Sequence, residues 1–307
     1  MKKLLCSLAF LAASPVSAQV ALTPDIAEAL PALGSELSRE MVGGTMKLYG
    51  PLHAADSNDG LNVLADQAYG DHERQKLDVY APEGASNLPV MVFVHGGGFV
   101  RGDKGGAANI GRWFARHGVV TVTLNYRFAP ESTWPSGAKD VALALDWIKA
   151  NIAGLGGNPE HIVLSGNSAG SMHVADYTFH EDFQNAADGV VGSILISPPA
   201  VDLMDRELDP ARDALYYGPD GDRAAQSVVN ALDGRTLPVM VAYAEHEPAM
   251  IIDQTRKLIT GLTDRNGRLP LVVGVAGHNH ISIVEHIGTA DESLVHEMLN
   301  FVGMAGG

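Results

Sequence analysis

The chain has 307 residues, of which 46% are hydrophobic and 19% are charged, and its formal net charge at pH 7 is −15. This composition is ordinary for a globular protein, and the length fits one large α/β domain or two small ones. Phosphate backbones would repel so acidic a chain, so we expect no nucleic-acid partner.

The first eighteen residues have the three parts of a secretory signal peptide. Lys2 and Lys3 give a positive start, residues 4–13 form an apolar stretch too short to span a membrane, and Ala18 ends a small-x-small pattern. We therefore predict an exported protein, periplasmic or extracellular, cleaved after about Ala18 and without a stable membrane anchor. Cleavage would remove Cys6, the only cysteine of the chain, so the mature protein would have no disulfide.

From about Gln75 onward, apolar runs and helical spacings alternate along the chain. Strands are predicted at residues 76–80, 90–94 and 119–126, in a run ending at 164, and at 191–196, 239–244 and 271–275. Helices are predicted at residues 108–117, 136–150, 169–179, 249–263 and 291–302. This alternation predicts the α/β fold class, with a mainly parallel sheet and helices on both of its faces.

We predict a single domain over residues 19–307, with its core at 75–307. Ahead of that core, a short helix is predicted at residues 26–37, whereas the polar, glycine-containing segment 43–70 receives no assignment. Residues 202–235 are the least regular part of the chain and rich in Asp and Arg, so we predict an insertion over the sheet.

The pattern GNSAG at residues 166–170 directly follows a predicted strand and precedes a predicted helix. A serine between two glycines at such a point is typical of a nucleophile elbow, in which Ser168 stands exposed above the sheet. Glycines at 166 and 170 would remove the collision of side chains with neighbouring backbone.

A second pattern, HGGGF at residues 95–99, follows the apolar strand predicted at 90–94. Acyl transfer builds negative charge on a carbonyl oxygen, and backbone N–H groups reach that oxygen only where no side chain intervenes. Consecutive glycines after a strand therefore favour an oxyanion hole.

Four motifs in order carry a resemblance to a known group of proteins: HGGGF at 95–99, NYRFAPE at 125–131, GNPE at 157–160 and GNSAG at 166–170. The series resembles α/β-hydrolase esterases of the hormone-sensitive-lipase-like and carboxylesterase group, from about Gln75 to the C-terminus. The resemblance implies the α/β-hydrolase fold and an oxyanion hole formed by the N–H groups of Gly97, Gly98 and Ala169. The commoner elbow of this group has Asp or Glu in place of Asn167.

In the chain order Ser, acid, His, the base lies after the last strand. Two histidines follow that predicted strand, His278 and His280. We predict His280, because the residues after it look like the helix start that follows the catalytic histidine in similar esterases. His278 is the alternative.

The acid is predicted to follow the strand at 239–244. Similar families have Asp followed by Pro there, and Glu247 precedes a proline at the matching position. Glutamate suits the task, which is to accept the imidazole N–H and stabilise the imidazolium. Glu245 and Asp253 are the alternatives.

These observations predict a secreted serine carboxylesterase that hydrolyses small or short-acyl carboxylic esters through an acyl-enzyme on Ser168. The partner is a small-molecule ester, and no metal or organic cofactor is expected. An amidase or arylformamidase using the same residues is the alternative within enzymes. A non-catalytic binding protein of the same fold is the alternative of another class.

Overall fold

In a computed structural model, which describes residues 24–305, strands and helices alternate along the chain. The strands are β1 (Leu61–Ala68), β2 (Lys76–Pro82), β3 (Leu88–Val94), β4 (Val120–Leu124), β5 (Gly157–Asn167), β6 (Val190–Ile196), β7 (Val239–His246) and β8 (Leu271–Asn279). The α-helices are α1 (Pro24–Ala32), α2 (Arg39–Ala54), α3 (Ala108–Arg116), α4 (Ser136–Asn151), α5 (Ala169–Phe179), α6 (Asp213–Tyr217), α7 (Arg223–Gln226), α8 (Ala249–Asn266), α9 (Ser282–Glu285) and α10 (Val295–Met304).

The strands form one sheet in the order β1-β2-β4-β3-β5-β6-β7-β8. β1 pairs with β2 and β2 with β4 in antiparallel fashion, whereas every pairing from β4 to β8 is parallel. The predicted α/β class with a mainly parallel sheet is therefore confirmed. The predicted single domain stays a prediction, and the predicted signal peptide lies outside the described residues.

Apolar cores lie on both faces of the sheet because successive side chains of a strand point to opposite faces. On β3, Val90 and Val92 pack in a cluster with apolar residues of α4 and α5. Met91 and Phe93 pack in a second cluster with residues of α3 and α10. This arrangement explains why β3 is apolar at consecutive positions, as a strand buried on both faces must be.

The largest difference from the sequence prediction is in segment 43–70, which contains most of α2 and all of β1. Ser38 caps α2 by accepting a hydrogen bond from the N–H of Met41 at 3.0 Å. Met41, Thr45 and Tyr49, four residues apart, are its buried side chains. The predicted helix at 26–37 is wrong in its end, since α1 stops at Ala32.

One further prediction needs correction. The helix predicted from 291 begins at Val295, because the Asp291 side chain contacts His278 and the N–H of Ser293 instead of continuing a helix. Segment 202–235, predicted to be an insertion over the sheet, lies between β6 and β7 and contains α6 and α7. No helix among residues 24–305 has the length and apolar character that crossing a bilayer requires.

Candidate active site

The elbow at residues 166–170 lies between β5 and α5. Ser168 has φ 54° and ψ −124°, a backbone conformation that residues with side chains rarely adopt. A Cβ atom at Gly166 would lie 2.5 Å from the carbonyl of Gly170, and one at Gly170 would lie 2.1 Å from the carbonyl oxygen of Val94. The two glycines are therefore required, because any side chain there would overlap with backbone.

His280 and Glu247 lie just beyond the carboxyl ends of neighbouring parallel strands, β8 and β7. Nδ1 of His280 lies 2.7 Å from Oε2 of Glu247, and both side chains are buried. Because an ionised carboxylate only accepts hydrogen bonds, Nδ1 carries the ring proton in the neutral imidazole. The Nε2 atom then holds a free lone pair.

The second oxygen of Glu247 is also bound. Its Oε1 atom accepts a hydrogen bond from the hydroxyl of Ser197 and another from the N–H of Ala244, at 3.2 Å. Burial alone would raise the pKa of Glu247, but His280 and these hydrogen bonds lower it, with the net result below the usual value. Ser197 carries no motif, and its position directly after β6 is the only signal for it in the sequence.

The alternative acid and base residues make other contacts. His278 is bonded to Asp291, with 3.0 Å between Nε2 and Oδ2. Glu245 is exposed and accepts a backbone N–H of β8 at 2.8 Å. Asp253 pairs with Arg256 on the surface of α8 at 2.7 Å. Neither carboxylate is bonded to His280, so Glu247 is the one that meets it.

The glycines of residues 96–98 form a tight turn after β3. A Cβ atom at Gly97, whose φ is +135°, would lie 1.8 Å from the carbonyl oxygen of Arg101, and Gly98 has φ +60°. Within the part of the chain that the structure describes, the N–H groups of Gly97 and Gly98 donate no hydrogen bond. Ala169 is the first residue of α5, where an N–H has no acceptor within the helix.

This turn lies against the elbow, and Asn125 binds the residues that follow the turn. A Cβ atom at Gly96 would lie 3.2 Å from Cβ of Ser168. The amide of Asn125 donates to Oδ2 of Asp103 at 2.8 Å and accepts the N–H of Lys104 at 2.6 Å. Asn125 is the first residue of the motif NYRFAPE, so that motif has a structural role in holding residues 103–104.

Ser168 and His280 both line one cleft of about 690 Å³, together with Gly97 and Gly98. Among the hydrogen bonds of residues 24–305, none joins the Ser168 hydroxyl to His280. Catalytic hydrogen bonds are often long in unliganded enzymes and shorten when substrate binds. The volume is that of a pocket for a small molecule.

The walls of the cleft come from parts of the chain outside the sheet. Val42 and Met46 of α2 contribute apolar surface, and residues 206–213 contribute both apolar and charged groups. Arg206 pairs with Asp213 there, and both side chains are largely buried. The sequence did not show which residues form these walls, because that depends on how α2 and residues 206–213 fold over the sheet.

Two buried histidines lie beneath the glycine turn. His95 stacks on Tyr126 with 4.6 Å between ring centroids, and Tyr126 also contacts His173 at 4.3 Å. Burial lowers the pKa of His95 to about 4 and that of His173 to about 3. Both rings are therefore neutral at pH 7 and belong to the packing under the turn.

Potential metal ligands come together at one place among the described residues. His278, His286 and Asp291 each offer one ligand atom, and these atoms lie within 4.8 Å of one another. None of the three lines the cleft. The acidic sequence Asp-Gly-Asp at 220–222 is not part of this group of residues. Its Asp222 caps α7 by accepting the N–H of Ala225 at 3.1 Å.

Residues 75–205 match the family model described as the carboxylesterase family. A probable isoprenylcysteine α-carbonyl methylesterase of Oryza sativa subsp. japonica is 35% identical over 128 residues, which cover 41% of this chain and 30% of that protein. LipM of Mycobacterium tuberculosis, a probable carboxylic ester hydrolase, is 35% identical over 133 residues, covering 42% of this chain and 31% of LipM. The chain thus spans less than a third of the length of these relatives.

Solved structures extend the likeness to almost the whole chain. Esterase B of Lactobacillus rhamnosis superimposes with a TM-score of 0.73 at 18% identity, covering 92% of this chain and 97% of that one. A hyperthermophilic esterase of the archaeon Pyrobaculum calidifontis gives a TM-score of 0.72 at 23% identity, covering 93% and 99%. The chain therefore has the α/β-hydrolase fold, and its residues 75–205 match the carboxylesterase family model.

Proposed function

We propose that the protein is a serine carboxylesterase that hydrolyses small carboxylic esters, with Ser168 as nucleophile, His280 as base and Glu247 as acid. One observation carries the proposal. His280, whose Nδ1 is 2.7 Å from the Glu247 carboxylate, lines the same cleft as Ser168, which has the backbone conformation of a nucleophile elbow. The match of residues 75–205 to the carboxylesterase family model agrees with this chemistry.

The proton path follows from the hydrogen bonds. Glu247 holds the proton of His280 on Nδ1, so Nε2 takes the proton of the Ser168 hydroxyl as the oxygen attacks the ester carbonyl. The imidazolium formed is stabilised by the Glu247 carboxylate, whose pKa is lowered and which stays ionised. His280 then gives its proton to the departing alcohol.

The negative charge on the carbonyl oxygen is received by the N–H groups of Gly97, Gly98 and Ala169. These donors are preorganised by a tight turn and a helix start, so little reorganisation opposes the reaction. Loss of the alcohol leaves an acyl group on Ser168. Water, deprotonated by His280, attacks this ester and releases the carboxylic acid, which restores the Ser168 hydroxyl.

The cleft supports a substrate of small size. Its volume is about 690 Å³, and apolar side chains such as Val42, Met46 and Leu208 line it. An apolar wall of this kind suits a short acyl chain better than it suits a polar substituent. No cofactor enters any step of this reaction.

The test is the replacement Ser168→Ala. Hydrolysis of p-nitrophenyl butyrate should fall to background while the circular dichroism spectrum and the melting temperature are unchanged. A fluorophosphonate should label the parent protein on Ser168, as mapped by mass spectrometry. Ser57→Ala, which changes a hydroxyl bonded only to the N–H of Asp59 at 3.3 Å, should leave both results unaltered.

Retention of most activity in Ser168→Ala would refute the assignment, and absence of both labelling and hydrolysis would identify a non-catalytic binding protein. An amide of the same acid, measured beside the ester, separates an esterase from an amidase or arylformamidase. We expect the ester to be the better substrate, because an alkoxide leaves more readily than an amide nitrogen.

We further propose that residues 1–18 are a signal peptide and that the exported protein is a single domain over 19–307. N-terminal sequencing of the protein recovered from the periplasm or the medium should begin at about Gln19. Limited proteolysis should then leave one resistant fragment containing the core at 75–307.

A further inference from the structure

A buried cluster is formed by His278 at the end of β8 and by His286 and Asp291 in the chain that follows, and none of the three lines the cleft. All three side chains are at least nine-tenths buried. The proposed reaction uses none of them. Two imidazoles and a carboxylate inside one small volume need either a complete set of hydrogen bonds or a ligand.

The hydrogen bonds of His286 leave one ring nitrogen without a partner. Nδ1 lies 3.0 Å from the carbonyl oxygen of Ser282, and since a carbonyl can only accept, Nδ1 carries the proton. Nε2 is buried and has no hydrogen-bond partner among the residues described. A buried ring with no acceptor for a second proton stays neutral, so Nε2 presents an unused lone pair. That is the form of histidine that binds a metal.

His278 and Asp291, the other two residues of the cluster, lie beside the ring of His286. The ring of His278 lies 4.4 Å from that of His286 between centroids, and its Nε2 lies 3.0 Å from Oδ2 of Asp291. Nδ1 of His278 is 3.0 Å from the hydroxyl of Ser282, and Oδ1 of Asp291 accepts the N–H of Ser293 at 3.0 Å. Each prospective ligand is therefore fixed by an outer hydrogen bond, as metal ligands in proteins usually are.

We propose that Nε2 of His278, Nε2 of His286 and the carboxylate of Asp291 form a binding site for Zn²⁺. Two imidazole nitrogens and one carboxylate oxygen suit this ion, with bonds of about 2.0–2.2 Å and water in the fourth position. The ligand atoms lie within 4.8 Å of one another, so shifts of about 1 Å or less bring them around one ion. The ion replaces the hydrogen bond between His278 and Asp291: the proton moves from Nε2 to Nδ1 of the same ring, which faces the Ser282 hydroxyl, so the imidazole stays neutral.

The position of the site defines its role. His278 is two residues before His280, and Asp291 is in the segment that leads to α10. An ion held between them would fasten the chain on either side of α9 and so stabilise the loop that carries His280. The role is structural, and the inference does not depend on the proposed esterase activity.

The experiment uses the whole mature protein after treatment with a chelator. Titration with ZnCl₂, followed by calorimetry, should show one equivalent bound per chain and a rise of several degrees in melting temperature. Co²⁺ in the same protein should give the visible absorption of a tetrahedral site. That measurement needs no variant.

His286→Gln and Asp291→Asn should each weaken Zn²⁺ binding at least about tenfold and abolish the rise in melting temperature. His296→Gln is the control, because His296 forms an exposed pair with Glu292 at 2.9 Å. His280→Ala should bind Zn²⁺ like the parent.

Three results would overturn the proposal. The first is no saturable binding near one equivalent together with no Co²⁺ absorption, which would mean that the cluster is only hydrogen-bonded. The second is binding lost in His280→Ala but kept in His286→Gln, which would mean that the ion sits on the catalytic pair. The third is binding lost in His296→Gln, which would identify a surface site.

Discussion

Ser197 donates a hydrogen bond to the Glu247 oxygen that His280 does not use. Each oxygen of this carboxylate therefore has its own partner, and the carboxylate is held beside the imidazole. Ser197 does not touch the cleft, so any effect of Ser197 on the reaction must pass through Glu247.

Replacement of Ser197 by Ala should lower kcat about tenfold with little change in KM, because a hydrogen bond to a charged group is worth about 1.5–3 kcal/mol. The pKa of Glu247 should rise, so activity should be lost at a higher pH on the acid side. Steady-state kinetics from pH 4 to 9 measure both effects. Ser193→Ala on β6, the strand that precedes Ser197, removes a buried hydrogen bond to Thr178 of 2.8 Å, and it should reduce stability while leaving kcat unchanged. Equal kinetics for the two variants would argue against a positioning role.

Replacement of Glu247 by Gln should reduce kcat by about 10³–10⁴, since the amide neither stabilises the imidazolium nor holds the His280 proton on Nδ1. Fluorophosphonate labelling of Ser168 should slow in parallel. Glu245→Gln changes an exposed carboxylate two residues away and should have nearly full activity. If Glu245→Gln were the more damaged variant, the acid would have to be reassigned.

The elbow predicts a contrast between two glycines. Gly170→Ala would put a Cβ atom 2.1 Å from the carbonyl oxygen of Val94, so we expect a loss of more than about 2 kcal/mol in unfolding free energy and most of the activity. Gly43→Ala lies in α2 with nothing within 4 Å of the new atom, and should stabilise the protein by about 0.5–1 kcal/mol. Urea unfolding measures both. A tolerated Gly170→Ala would mean that the turn is less tightly packed than described.

Acid should destabilise the protein through its buried histidines. The folded-state pKa of His95 is about 4 and that of His173 about 3, both below the ordinary 6.5. The unfolded state therefore binds more protons in this range, so stability is full above about pH 6.5 and falls as the pH drops towards 4. The lowered pKa of Glu247 acts in the same direction.

Urea unfolding between pH 4 and 8 measures this slope. His173→Leu, which removes one titrating group from a buried site, should make the unfolding free energy depend less steeply on pH. His296→Gln, on an exposed histidine, should leave the slope as it is. A slope unchanged in His173→Leu would show that the acid sensitivity has another origin.

The candidate site residues that could be named from the sequence are those that depend on local chain geometry or on the order of elements. Ser168 is indicated by two glycines at fixed spacing, and His280 and Glu247 are indicated by the predicted strands that precede them. Ser197 could not be predicted, because its bond to Glu247 joins residues 50 apart in sequence. Helix α2 was missed because the glycines at 43 and 44 obscured the spacing of its buried residues.

The contact between α2 and the loop that carries His280 has a consequence for how related chains can differ in sequence. Thr45 accepts a hydrogen bond from Asn279 at 2.9 Å, one residue before His280, while Val42 and Met46 of the same helix line the cleft. Residues 206–213 line the cleft as well, but the hydrogen bonds of His280 and Glu247 do not involve them. Under the proposed function, exchange of residues 206–213 would change the wall of the cleft without altering the hydrogen bonds of His280 and Glu247, whereas exchange of α2 would alter both the wall and the support of the loop that carries His280.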